Sequence, residues 1–128
     1  GFRRVIDARR RLLDLGATVV APCPHERPCP LPSDDWCHFS ARLNRTSLQR
    51  QLKGGALAYE DEKYAFVAAT RESGAPSSAR VIQRPRLGRG HVTLNVCAHD
   101  GLRAITVTRS HRDDYRRARK VRWGDSWD

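Results

Sequence analysis

Gly16-Ala17-Thr18-Val19-Val20-Ala21-Pro22-Cys23-Pro24-His25-Glu26-Arg27-Pro28-Cys29-Pro30-Leu31 is the stretch on which the fold of this chain turns. Upstream of it the apolar residues Phe2, Val5, Ile6, Leu12 and Leu13 recur at helical spacing, and Gly16 stands where a helix can close in the left-handed conformation. Ala17 to Ala21 then reads as a short buried strand, and it runs directly into a loop carrying cysteines. A helix, a strand and a ligand-bearing loop at the strand's carboxyl end follow one another in the order of an α/β sheet.

The loop continues through Asp34-Asp35-Trp36-Cys37-His38-Phe39, which gives the spacing C-x5-C-x7-C. Five of the seven prolines, Pro22, Pro24, Pro28, Pro30 and Pro32, fall within it. Each fixes its own φ and pushes the preceding residue toward extended geometry, so the loop loses little entropy when thiolates converge on one centre. A fourth cysteine, Cys97, ends the run Leu94-Asn95-Val96-Cys97 beside the turn His99-Asp100-Gly101. Disulfides require an oxidising compartment and a scaffold of a kind the rest of the chain does not resemble. Structural zinc favours short C-x2-4-C knuckles, which are absent. An iron–sulfur cluster takes four thiolates at wide spacing with one remote ligand, and the spacing favours it without closing the other two readings. His25 and His38 lie beside ligand cysteines, where an imidazole hydrogen-bonds a sulfur more often than it replaces one.

Beyond the loop, Asn44 or Thr46 is placed to cap a short helix over Ser47 to Lys53 that Gly54-Gly55 would stop. The period then changes to two. Lys63 to Thr70, Ala79 to Arg84, His91 to Cys97 and Leu102 to Arg109 read as strands, three of them closing into an antiparallel meander through turns at Leu87-Gly88-Arg89-Gly90 and His99-Asp100-Gly101. A polar helix follows from Ser110 or His111 through Lys120. The expected fold class is α/β: the end of a sheet, an antiparallel meander and a basic carboxy-terminal helix, built around a four-cysteine metal site. Residues 1–58, with the ligand loop at 22–39, form the first part and residues 59–128 the second. There is no Met, and the chain opens within a helix, so it reads as part of something longer whose natural amino terminus lies upstream.

The net charge is +10, from 24 Lys and Arg against 14 Asp and Glu, and the mean hydropathy is -0.66. An excess of this size favours polyanions through phosphate neutralisation and counterion release. Most of the positive charge is Arg, which grips phosphate bidentately. The carboxy-terminal cluster Arg109, Arg112, Arg116, Arg117, Arg119, Lys120 and Arg122 is the leading candidate for RNA contact, with Tyr115, Trp123 and Trp127 available for stacking. Arg84, Arg86 and Arg89 on the hairpin, and Arg42, Arg45 and Arg50, come second, while Arg9-Arg10-Arg11 reads as the outer face of the first helix. Glu60-Asp61-Glu62 reads as a charged strand entry that pairs with arginines, since three consecutive residues on an extended chain cannot all face one site. No nucleophile with an adjacent base is found, and neither Gly88-Arg89-Gly90 nor Gly54-Gly55 has the strand-to-helix setting of a phosphate loop. No apolar run is long enough to span a bilayer.

Taken in order, Val20-Ala21-Pro22-Cys23-Pro24-His25, Cys29-Pro30-Leu31, Trp36-Cys37-His38-Phe39-Ser40, Glu60-Asp61-Glu62-Lys63-Tyr64, Cys97 with Asp100-Gly101, Ala118-Arg119-Lys120 and Trp123-Gly124-Asp125 resemble the carboxy-terminal part of the methyltransferase-like assembly factors of the small ribosomal subunit. That family has mitochondrial members and bacterial relatives. The resemblance covers nearly the whole chain. It implies a [4Fe–4S] cluster on Cys23, Cys29, Cys37 and Cys97, a sheet that ends a Rossmann-like methyltransferase domain, and small-subunit ribosomal RNA and ribosomal proteins as partners of a monomeric, membrane-free protein. It also implies that S-adenosylmethionine, if it is used at all, is bound by the full-length parent, because the strands and glycine turn that would hold it precede Gly1. The enzyme alternative is therefore ribosomal RNA methylation by that parent. A zinc-stabilised RNA-binding module is the third reading. The compartment is the cytoplasm if the source is bacterial, which is the reading favoured here, and the mitochondrial matrix if it is eukaryotic.

Overall fold

The computed structural model describes all of residues 1–128. Helix α1 spans Phe2–Asp14 and ends at Leu15. Gly16, at φ 82°, closes it: the Gly16 N–H donates to Leu13 O at 2.9 Å and the Ala17 N–H to Leu12 O at 3.0 Å. These are the two crossed bonds of a Schellman motif, and they satisfy carbonyls the helix leaves open. Strand β1 (Thr18–Ala21) follows, and strand β2 covers Phe39–Asn44.

Thr46 caps helix α2 (Ser47–Lys53) with a reciprocal capping box to Gln49, and Gly54 ends it at φ 59°. The expected helix therefore stands, with Thr46 rather than Asn44 as its cap. Strand β2 is not among the expected strands, although Phe39, Ala41 and Leu43 alternate there with Ser40, Arg42 and Asn44; it pairs in six antiparallel steps with β3 (Tyr59–Tyr64), so a ribbon carries α2 at its tip. The single strand expected over Lys63 to Thr70 is split. Its start belongs to β3 and its end is β4 (Ala68–Thr70), which pairs antiparallel with β1 across a bulge between Val19 and Ala21.

The main sheet is centred on β7 (His91–Ala98). Along one edge lie β5 (Ala79–Val81) and β6 (Arg86–Gly88), and along the other lies β8 (Gly101–Thr108), all antiparallel to β7. The strand expected from Ala79 to Arg84 stops at Val81. Pro85 brings no N–H to the ladder, and residues 82–85 bulge between β5 and β6 while Ile82 N still donates to Asn95 O at 3.0 Å. The meander expected from the sequence is thus present. After helix α3 (Arg112–Ala118) the tail returns to the free edge of β5, where Val81 N donates to Asp125 O and Trp127 N to Ala79 O, both at 2.9 Å.

Alternation along β7 divides the sheet's two faces. Val92, Leu94, Val96 and Ala98 point one way and form the core with Ala79, Val81, Val107 and Ala118, capped by Ile105, Tyr115, Val121 and Trp127. Cys97 points the other way, together with its register neighbours Arg80 and Leu102. That second face receives the cysteine loop and α1. All strand pairs are antiparallel, so the Rossmann-like part of the expectation finds no support within these residues. The pairs β1–β4 and β2–β3 both join residues from the two sides of position 58.

Candidate metal centre

Cys23, Cys29 and Cys37 from the loop and Cys97 from β7 line one cavity of about 570 Å³ of atom-free space, part of it open to solvent. Its walls are apolar: Phe2, Val5 and Ile6 reach down from α1, and Phe66, Val67, Ile82 and Leu102 close the sides. All four cysteines are free thiols. No group of three or more His, Cys, Asp or Glu side chains stands close enough to hold one metal ion. The four sulfurs share a cavity, therefore, but are spread around it.

The electrostatics follow from the walls. Burial pushes the Cys37 thiol up to about 12, with Cys23, Cys29, Cys97 and Asp35 adding to the rise. Burial likewise pushes Cys97 up to about 11, against the pull of Arg9 and Arg27. Cys23 is also raised by burial, and the neighbouring Arg9 guanidinium opposes that rise. A dry pocket disfavours several negative charges at once, so these thiols deprotonate together only when positive charge enters among them.

The proline loop has few N–H groups of its own, and side chains satisfy its carbonyls. Arg9 Nη2 donates to His25 O at 2.7 Å and to Arg27 O at 2.9 Å. Arg80 Nε donates to Pro22 O at 3.1 Å, and its Nη1 reaches Gly124 O at the same distance. His99 Nδ1 lies 3.4 Å from Pro24 O. Arg9 is 6% exposed, which corrects its placement on the outer face of α1. At helical spacing it shares a face with Phe2, Val5 and Ile6, so the signal was in the sequence, masked by the two arginines that follow it. Nothing in the sequence marks Arg80.

His25 is buried, its Nε2 is 3.5 Å from Cys97 Sγ, and its Nδ1 has no partner. Burial first, then Arg9 and Arg27, holds it below its ordinary pKa and hence neutral. His38 lies elsewhere. Its ring stacks on Trp36 at 3.9 Å and meets Trp123 edge-on at 5.2 Å, and its Nδ1 is 3.0 Å from Trp36 O. It lines the space behind Cys37 and not the cavity.

Arg109, Arg112, Arg116, Arg117, Arg119, Lys120 and Arg122 are all exposed, as are Arg84, Arg86 and Arg89. Arg117 and Lys120 share a surface hollow with Arg80, Asp125 and Ser126. Arg116 is 3.7 Å from Asp113 in an exposed pair. The rings expected beside this cluster are occupied. Tyr115 and Trp127 pack on the core, Arg117 sits 4.2 Å over Trp127, and Trp123 keeps its Nε1 buried without a partner. Tyr115 and Trp127 are thus partly committed to packing on the sheet, while Trp123 lines a groove with Phe39, Tyr64 and Phe66. The acidic run behaves as expected: Glu60 bonds Lys53 at 2.6 Å and Arg45 at 3.3 Å, and Asp61 bonds Arg42 at 2.9 Å.

Antiparallel strands carry one remote thiol toward a proline-stiffened loop with three more, and comparison with known proteins places this domain in a family. The model of the mitochondrial small ribosomal subunit protein Rsm22 family matches residues 1–128, and the chain belongs to that family of methyltransferase-like small-subunit assembly factors. A human relative, the mitochondrial ribosome assembly protein METTL17, is 36% identical over 118 residues, covering 84% of this chain and 24% of the relative. The chain thus spans about a quarter of that protein's length. Both matches are to mitochondrial proteins, and neither supports the bacterial compartment over the matrix. No helix is long and apolar enough to cross a membrane.

Proposed function

We propose that this chain is the iron–sulfur, ribosomal-RNA-binding part of a small-subunit assembly factor. The observation that carries the cluster reading is the convergence of four thiols from separate stretches on one apolar-walled cavity. A tetrahedral zinc site with Zn–S near 2.3 Å brings its sulfurs to ~3.8 Å from one another, and no such trio exists here. A polynuclear cluster holds its thiolates farther apart, because iron and sulfide lie between them. A spread donor set around open space suits that group, and Arg9 beside Cys23 offsets part of the anionic charge the set would carry. When bound, the cluster supplies four metal–thiolate bonds to a segment with little apolar content of its own. The RNA reading rests on the net charge of +10 and on the exposed arginines of α3 and the β6–β7 hairpin. S-adenosylmethionine-dependent methylation has no residue assigned to it in this chain.

Metal analysis tests the reading. Protein purified without oxygen from its native host should contain about four irons and four acid-labile sulfides per chain. One zinc per chain with no sulfide would overturn the cluster in favour of the zinc module.

A further inference from the structure

Three aromatic rings share one face of the β2–β3 ribbon. Phe39 and Tyr64 are opposed in register, and Phe66 lies two residues beyond Tyr64 on the same side. Their centroids are 5.5 to 6.2 Å apart. Phe39 is buried, while Tyr64 is 44% and Phe66 37% exposed. The rings line a groove whose other wall is the carboxy-terminal segment from Arg122 to Asp125. That wall is fixed closely: a Cβ at Gly124 would come within 3.3 Å of the Phe39 ring, and Gly124 itself has φ 97°.

We infer that this groove binds unpaired nucleobases of an RNA strand, which stack on Tyr64 and Phe66 while a neighbouring phosphate meets Arg122. The inference rests on the RNA-binding reading above and gives it a site distinct from α3. Charge decides the occupant. Arg122 is exposed and takes part in none of the chain's ion pairs, and the groove's one carboxylate, Asp125, is engaged by the Arg122 backbone N–H at 2.8 Å. Glu62, next along the same face of β3, has no ion-pair partner and disfavours a phosphate on its side of the rings, whereas Arg122 favours one on the other. The groove's lining is aromatic and polar, with no aliphatic side chain. Bare aromatic faces beside an unpaired guanidinium are the chemistry of single-strand binding, tolerant of sequence because every base has a π-face.

The test titrates the full chain with a fluorescent single-stranded RNA and with a duplex RNA of equal length. Tyr64→Ala, which leaves Phe66 in place on the side of the cysteine cavity, should weaken single-strand binding about five-fold or more and leave the salt dependence unchanged, since stacking releases no counterions. Duplex binding should not change, and Tyr64→Phe should bind as the parent does. Arg122→Gln supplies an independent arm that alters no ring; it should lower the salt slope by about one. Wild-type binding to RNA with full affinity retained in Tyr64→Ala and in Arg122→Gln would overturn the groove and leave the RNA reading standing. Failure of the wild type to bind either RNA would remove the RNA reading and the groove with it. Loss of a ribosomal-protein contact with RNA affinity intact would assign the groove to a protein and overturn the proposal.

Discussion

Arg9 is the residue whose environment departs furthest from its type. A guanidinium is rarely buried without a carboxylate, yet Arg9 faces carbonyls and thiols, with its Nε left unpartnered. Its role is to hold the backbone on either side of Glu26 and to place a fixed positive charge beside Cys23. Arg9→Ala would leave two carbonyls without donors, at a cost of about 2–3 kcal/mol for hydrogen bonds from a charged group. Arg10→Ala and Arg11→Ala, on the exposed side of the same helix, should stay within about 0.5 kcal/mol of the parent. Urea unfolding of the three variants checks the contrast, and an Arg9→Ala variant as stable as the other two would mean that the loop holds its shape unaided.

Among the elements, the β2–β3 ribbon with α2 at its tip stands apart, because none of the α2 residues is buried. Beyond Phe39, which is buried at its base, the ribbon depends on its own ladder and on surface ion pairs. Lys53 and Arg45 lower the pKa of Glu60 from its ordinary 4.5, and Arg42 lowers that of Asp61 from 3.8. Depressed values in the folded state mean that the unfolded ribbon binds protons first as pH falls, so the stabilisation is complete above about pH 4.5 and is lost below it. The groups are fully exposed, so the effect is local and screened by salt. Amide exchange in residues 39–64 should therefore accelerate as pH falls from 5 to 3, after correction for intrinsic rates, with the amides of the core residues Leu94 and Val107, away from the Asp100–Arg103 pair at the β7–β8 turn, unaffected. Asp61→Asn should lessen the acid response, and a ribbon that exchanges alike at both pH values would show that the ladder alone holds it.

At the scale of the whole molecule, two different kinds of cohesion meet on β7. One face is a conventional core of eight buried apolar residues, and the other rests on the cysteine cavity. The core is small for 128 residues, with only ten buried hydrophobic side chains in the chain, which leaves room for a metal centre to contribute to folding. Leu94→Ala, on the core face, should cost about 2–5 kcal/mol whether or not metal is bound. Cys97→Ser, on the opposite face, should lower the melting temperature of loaded protein and have little effect after chelation, because its contribution acts through the bound group. Thermal unfolding before and after treatment with an iron chelator separates the two. Equal losses for Cys97→Ser in both conditions would make Cys97 an ordinary packing residue.

Local pattern alone determined much of this protein. Helical spacing with Gly16 gave α1, the prolines gave the stiff cysteine loop, alternation gave β7 and β8, and the order of cysteines and their flanking residues gave the family. Each of those signals is carried by neighbours a few residues apart, which is the range over which φ restriction and side-chain periodicity act. The tertiary structure decided what depends on distant partners. Strand β2 alternates Phe39, Ala41 and Leu43 with Ser40, Arg42 and Asn44, a local signal, but its pairing with β3 is set by the fold. Tyr115 and Trp127 looked free and pack against the core, while Tyr64 and Phe66, not among the stacking candidates, stay partly open. Arg9 and Arg80 became part of the cysteine site only because the fold brings α1 and β5 against carbonyls sixteen and fifty-eight residues away. A side chain's partner across such a separation is set by how whole elements pack, and no local pattern records it.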